Sequence, residues 1–374
     1  MNKFLKKVQA EFPVGESCHI AIVGEAPGED EARTGRPFVG ASGRLLNSML
    51  KDVGIDRSQC LVTNVFTERP PQNNVKHFFD KKSVRIAALK ADGMKHKDAQ
   101  AEVNAHAGEL FGTTGFIKQE YVYELERLKA ELEQFKPNVV IAMGATALWA
   151  LTKLNKIGTY RGIIMPSTLV PGVKIMPTYH PAAVIRMWTH RPTVMADLAK
   201  AKDEAASPII TRVQREIWIR PNYADLVHFE RHYLRGADMI CYDIETIPGT
   251  EIIQCIGFAP DQHRAIIVPL YSAGSPGGSY WSRDDEIRVH RWIRNILEDD
   301  NTKKLAQNSL FDIQYLLKYG IKVRGPIEDT MLMHHALQPE LPKGLGHLAS
   351  LYTNEGAWKT MVSFKRSDNI KKDS

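Results

Sequence analysis

Cysteine is scarce in this chain: 374 residues hold four, Cys18, Cys60, Cys241 and Cys255, with no C-x-x-C pair among them. Two thiols in each half, without cluster spacing, argue against a four-thiolate site or a disulfide framework and suit a reducing cytoplasm. Long apolar runs are missing too. No stretch approaches the roughly 18 residues of a membrane span, so no membrane partner is expected. The opening MNKFLKKVQAEFPVG lacks the apolar core of a signal peptide. The phosphate-loop spacing G-x-x-x-x-G-K-[ST] is absent. Internal repeats are absent, and low complexity is confined to SAGSPGGS at 272–279. Excess charge of one sign is also limited. Residues 1–212 carry 29 basic against 22 acidic side chains, or +7, and residues 213–374 carry 20 against 21, or −1. The basic half is compatible with a DNA backbone track, and the slightly acidic half with carboxylates awaiting metal. The length suits two or three domains, and 43% hydrophobic residues suffice for a core in each half.

What is present begins at residues 20–40, IAIVGEAPGEDEARTGRPFVG. A short apolar run that breaks into Gly and Pro reads as a buried parallel strand opening into a loop, the place where α/β sheets bind ligands. Glycines at 24, 28, 35 and 40 let backbone amides approach a ligand, and Pro27 and Pro37 stiffen the path. The acids at 25, 29, 30 and 31 would repel a bare nucleotide phosphate.

GEAPGEDEARTGRPFVG resembles the first motif of the uracil-DNA glycosylase superfamily, especially its thermophile-type family 4 branch. Thr63-Asn64 in LVTNVFTERPP, then KPNVVIAMGATALWAL, then His180 opening HPAAVIR, follow in that family's order over roughly the first 200 residues. Singly, a Phe after Pro is a core residue and a His before Pro a turn residue; the shared order favours function. The resemblance implies that Phe38 stacks on uracil, Asn64 reads its amide edge, and Gly24 and Ala26 complete the base site. His180 would stabilise the departing anion, while Glu25 and Glu31 organise water and the sugar side. Arg69 and Arg186 are the candidate DNA contacts. The chemistry agrees, because N-glycosidic cleavage creates a cationic sugar and an anionic base, and a flipped base needs an aromatic platform and an edge reader.

Two departures stand out. Better-known relatives carry a water-activating aspartate where this chain has Ala26, as family 4 members do. Family 4 enzymes also usually hold a four-cysteine iron–sulfur cluster with one ligand just before the RPP segment, where this chain reads Glu68. No iron–sulfur cluster is expected. In its place stands a polar helical insertion at about 72–135, whose first part is basic with Lys81, Lys82, Arg85, Lys90, Lys95 and Lys97. It is either a solvated cap or a DNA-gripping lobe.

A second chemistry starts at ADMICYDIETIPG, where Asp243 and Glu245 share one face of a strand. EIIQCIGFAP and HRAIIVPL read as its antiparallel continuation. Asn308 and Asp312, four apart at a helix start, aim Asp312 back toward the pair. The set resembles the proofreading 3′–5′ exonuclease domain of DNA polymerases, and IEDTMLMHHALQPELPKGLGHLASLYT resembles the next segment in bacteriophage family A polymerases. That implies Mg²⁺ or Mn²⁺ held by Asp243, Glu245 and Asp312. Asp329 would lie outside the metal set. The family's late Y-x-x-x-D motif has no counterpart after Tyr352, and Asp368 and Asp373 sit in a polar tail, so the exonuclease is expected to be incomplete.

The expected architecture is α/β: a three-layer α/β/α glycosylase-like domain over 1–208, then a ribonuclease H-like exonuclease domain with a mixed sheet over 213–374. Uracil-containing DNA, single- or double-stranded, is the expected substrate, with a polymerase domain or subunit as partner in a bacterial host cytoplasm. The alternatives left open are a non-catalytic uracil-reading or DNA-clamping module and a working exonuclease.

Overall fold

The computed structural model describes residues 7–15, 19–105, 111 and 115–355. Its contacts divide the chain into two units, one of Met1–Thr211 with the segment beginning at Ala349, the other Arg212–Leu348. In the first, β1 (Ile20–Gly24), β2 (Leu61–Asn64), β5 (Val139–Met143) and β7 (Lys174–Thr178) run parallel, in the order β2-β1-β5-β7. The two-residue β6 (Met165–Pro166) closes the β7 edge antiparallel, and β3 (Phe79–Asp80) pairs apart with β4 (Phe116–Ile117). These continuous apolar strands are buried on both faces, as parallel strands covered by helices must be.

Alternation sorts their side chains into two cores. Ala21 and Val23 join Val140 and Ala142 beneath the helices Val122–Phe135 and Ala145–Thr152, with Phe66, Leu128, Leu132 and Trp149. Ile20 and Ile22 join Ile141 on the other face, where the helices Ala41–Val53 and Arg191–Glu204 supply Leu46, Met49 and Leu198. The result is a three-layer α/β/α domain. The insertion is divided accordingly. Its helix Val122–Phe135 is core, whereas the helices Lys82–Ala91 and His96–Ala105 pack on a small separate cluster of Val103 and Phe116.

A buried ion pair ties helix to sheet in this unit. Arg161 donates to Asp197 at 2.7 and 3.1 Å, and Thr178, the last residue of β7, donates to the same carboxylate at 2.7 Å. The segment carrying His180 therefore leaves β7 from a fixed point.

The second unit holds β8 (Glu216–Ile219), β9 (Met239–Thr246), β10 (Ile253–Ala259), β11 (Arg264–Pro269), β12 (Lys303–Ala306) and β13 (Ile327–Asp329). Their order is β13-β12-β9-β10-β11-β8. β9, β10 and β11 are antiparallel neighbours, while β12, β13 and β8 join parallel to theirs, giving a mixed ribonuclease H-like sheet. Tyr242 and Ile244 of β9 enter the core with Phe258, Trp292 and Leu316, so Asp243 and Glu245 emerge together on the opposite face. The long helix Arg283–Leu297 begins at Ser282, whose side chain accepts the Asp285 N–H, and places three acids in its first turn, which suits the helix dipole. Among the described residues no helix is long and apolar enough to cross a membrane.

Candidate active site

The carboxyl ends of β1, β2 and β7 converge on a cavity of about 480 Å³ in the first unit, lined by Glu25, Ala26, Glu31, Phe38, Asn64, His180 and Arg186 among others. Gly24 ends β1 directly behind it. A Cβ at that position would lie 2.2 Å from Asn64 Oδ1 and 2.5 Å from Phe38 Cζ, so glycine is what lets the ring and the carboxamide meet. Asn64 ends β2 with 6% of its surface exposed, and its backbone carbonyl accepts from Arg127 Nη2 at 2.7 Å. Phe38 is buried with φ of 53°, in the left-handed region. Its ring lies 5.9 Å from that of His180 at an interplanar angle of 27°.

His180 precedes the short helix Pro181–Arg186 and accepts the Ala182 N–H on Nδ1 at 3.1 Å. An accepting Nδ1 in a neutral imidazole leaves the proton on Nε2, so the ring is a donor there. Burial, aided by the Arg186 charge, pushes its pKa down to about 4. Neutrality at pH 7 follows. Glu25 has its carboxyl raised by burial, against the opposing effects of a hydrogen bond donated by Thr146 Oγ1 and the Arg186 charge.

Glu31 faces the loop backbone. Its Oε1 accepts from Val39 N at 3.0 Å and Gly40 N at 2.8 Å, and its Oε2 from Gly28 N at 3.2 Å. Arg69 is absent from the cavity wall. It donates to Asn73 at 2.9 Å and to Glu29 at 3.2 Å, while Pro70 and Asn73 reach the lining. Arg186 is exposed at the rim. Sequence reasoning missed Thr146, although it lies in the AMGAT segment, and it missed the bracket behind β2. There Glu124, 1% exposed, accepts both the N–H and the hydroxyl of Thr67 at 3.1 and 2.5 Å and pairs with Arg127 at 2.8 Å.

In the second unit, Asp312 is 2% exposed on the helix Ser309–Lys318 and accepts the Ile244 N–H at 3.0 Å. Burial first, and the Asp243 charge in addition, push its pKa up to about 6, while the amide opposes them. Asp243 and Asp312 thus feel one another across the strand. Among the described residues no group of three or more His, Cys, Asp or Glu side chains is close enough together to hold a metal ion; Asp243 and Glu245 share the exposed face of β9, and Asp312 lies against the same strand. One Asp312 oxygen is engaged by the β9 backbone. Asp329 is likewise occupied, accepting from Ser309 N at 2.7 Å, Met331 N at 2.8 Å and Asn308 N at 3.0 Å. Cys60, Cys241 and Cys255 form no disulfide. Cys18, Asp368 and Asp373 lie outside the described residues.

Residues 12–202 match the family model of the uracil DNA glycosylase superfamily, and residues 229–372 that of a 3′-5′ exonuclease. With half the chain matched, the protein belongs to the uracil DNA glycosylase superfamily. Within it, the similarity includes the type-4 uracil-DNA glycosylase of Thermotoga maritima, 31% identical over 194 residues, 50% of this chain and 80% of that protein. Both halves together resemble the DNA polymerase of Bacillus phage SP01, 22% identical over 348 residues, which is 85% of this chain. The chain spans 32% of that polymerase's length. Among solved structures, the EXO domain of Aedes aegypti Nibbler aligns with 43% of this chain and 82% of its own, at 15% identity and a TM-score of 0.32.

Proposed function

We propose that the first unit removes uracil from DNA by hydrolysing the bond between uracil N1 and the sugar C1′. The observation that carries this reading is the convergence of the Phe38 ring, the Asn64 carboxamide and a neutral, Nε2-protonated His180 on one cavity. In this account the flipped base stacks on Phe38 and its amide edge is paired by Asn64. As the C–N bond breaks, the electron pair stays with uracil, and the Nε2–H of His180 stabilises the anion without transferring a net charge. Glu25, held by Thr146, faces the cationic sugar and takes a proton from the water that adds to C1′. Glu31 holds the loop through its three amides, and Arg186 and Arg69 meet the DNA backbone. Ala26 leaves no second carboxylate at its position, which favours, as the alternative, a module that binds uracil without cutting.

For the rest of the chain we propose a glycosylase domain over 1–208 and an exonuclease-like domain over 213–374. Divalent cations are held weakly there by Asp243, Glu245 and Asp312, because three carboxylates leave a two-metal site short of a ligand. A DNA polymerase domain or subunit is the proposed partner, in a host cytoplasm, and the first unit holds no iron. The test of the central reading is a gel assay of uracil-containing against thymine-containing oligonucleotides followed by alkali. Strand scission confined to uracil positions is expected. Intact strands at micromolar protein refute excision.

A further inference from the structure

A left-handed backbone costs a non-glycine residue roughly 5- to 150-fold in population, so a bulky one persists only where its surroundings over-determine it. Phe38, with φ of 53°, is such a residue, and its neighbours show what holds it. Arg57 Nη2 donates to Pro37 O at 2.8 Å and Nη1 to Phe38 O at 3.3 Å, so one guanidinium spans two consecutive carbonyls. The same side chain donates to Asn47 at 2.8 Å and forms an ion pair with Glu11 at 2.6 Å. On the other side, Glu31 accepts the amides of Val39 and Gly40. Glu11 is anchored in turn. Its backbone exchanges both hydrogen bonds with Val62, at 2.8 and 2.9 Å, on the strand that ends at Asn64. A Cβ at Gly43 would lie 1.9 Å from Phe38 O, so the following helix also abuts this carbonyl.

We propose that Arg57, seated on Glu11, is a positioning residue that locks Phe38 in its left-handed conformation and thereby sets the stacking ring against Asn64. The inference rests on the uracil-excision reading for its kinetic consequence, but not for its structural one. A planar fork fixed to β2 refers the platform and the edge reader to a single strand, so both are in place before a base arrives.

The test uses the full chain with Arg57→Gln and Arg57→Lys. Loss of the clamp reduces the fraction of protein with the platform in place, so KM for uracil-containing DNA rises roughly 5- to 150-fold while kcat at saturation stays within about threefold. In a Phe38→Ala background, Arg57→Gln then changes KM by less than about twofold, because the residue acts through the ring. A crystal structure of Arg57→Gln shows residue 38 at negative φ. Equal KM effects with and without the ring, or a left-handed Phe38 in the variant structure, overturn the proposal. If wild-type protein releases no uracil, the excision reading fails, and φ at residue 38 still decides the clamp. Where Arg57→Gln does not fold, Arg57→Lys serves in its place, since it keeps a charge against Glu11 but cannot span two carbonyls.

Discussion

Replacing Asn64 by Asp keeps side-chain size and removes the amide donor group, which makes it the sharpest perturbation of the base-reading edge. The side chain is 6% exposed and sits against Gly24 and Phe38, while its backbone is fixed by Arg127, so it has little room to turn away. Loss of one aimed donor in a closed site costs on the order of 10²–10³ in rate. The aspartate adds a negative charge beside a leaving group that is itself becoming negative, so the upper end, about 10³, is expected. The assay is single-turnover cleavage of an end-labelled uracil oligonucleotide, quenched in alkali, with circular dichroism and a melting curve to establish that the variant folds. A folded Asp variant within about tenfold of wild type would refute the claim that Asn64 donates to uracil.

Further outcomes are open to measurement. Because burial holds His180 near pKa 4 against an ordinary 6.5, it remains ~90% neutral at pH 5, where an unperturbed histidine would be about 3% neutral, so its donor role persists in mild acid. The linked stability is present above pH 6.5 and is lost as pH falls toward 4, since the unfolded chain takes up the proton first. Glu25, raised by burial, acts in the opposite sense, so the His180 contribution is read as the difference between wild type and His180→Gln in chemical denaturation across that range. Asp197→Ala leaves Arg161 buried without its carboxylate and is expected to destabilise the first unit by about 3–5 kcal/mol in urea titration. Purified protein is expected to be colourless and iron-free by elemental analysis; stoichiometric iron with visible absorbance would contradict this. Digestion of a labelled single strand with Mn²⁺ is expected to be slow or undetectable, and rapid shortening lost in Asp243→Ala would show that another residue completes the site.

The continuous apolar run IAIVG, broken by Gly and Pro, and the spacing of Asp243 and Glu245 in MICYDIET made both central strands legible, the latter because a strand's two faces follow from sequence spacing alone. Motif order brought Glu25, Phe38, Asn64 and His180 to one cavity. The supports of that cavity were not legible. Thr146 reaches Glu25 across 121 residues, Glu124 reaches Thr67 across 57, and Arg57 reaches Phe38 from a segment that reads as an ordinary polar turn. Such contacts are set by tertiary packing, which carries no local periodicity. Nor was the employment of Glu31 visible, since a loop carboxylate looks the same in sequence whether it faces water, substrate or backbone amides. The position of Asp312 against the Ile244 amide likewise depends on how a helix seats on a sheet.

The most direct test of uracil excision is to detect the released base. Wild-type protein mixed with an equimolar single-uracil oligonucleotide is analysed by mass spectrometry for both products. Free uracil and an abasic strand are expected in equal amounts, with nothing released from the thymine control. Intact uracil strand recovered from a stable complex would contradict excision and leave the chain as a reader of uracil.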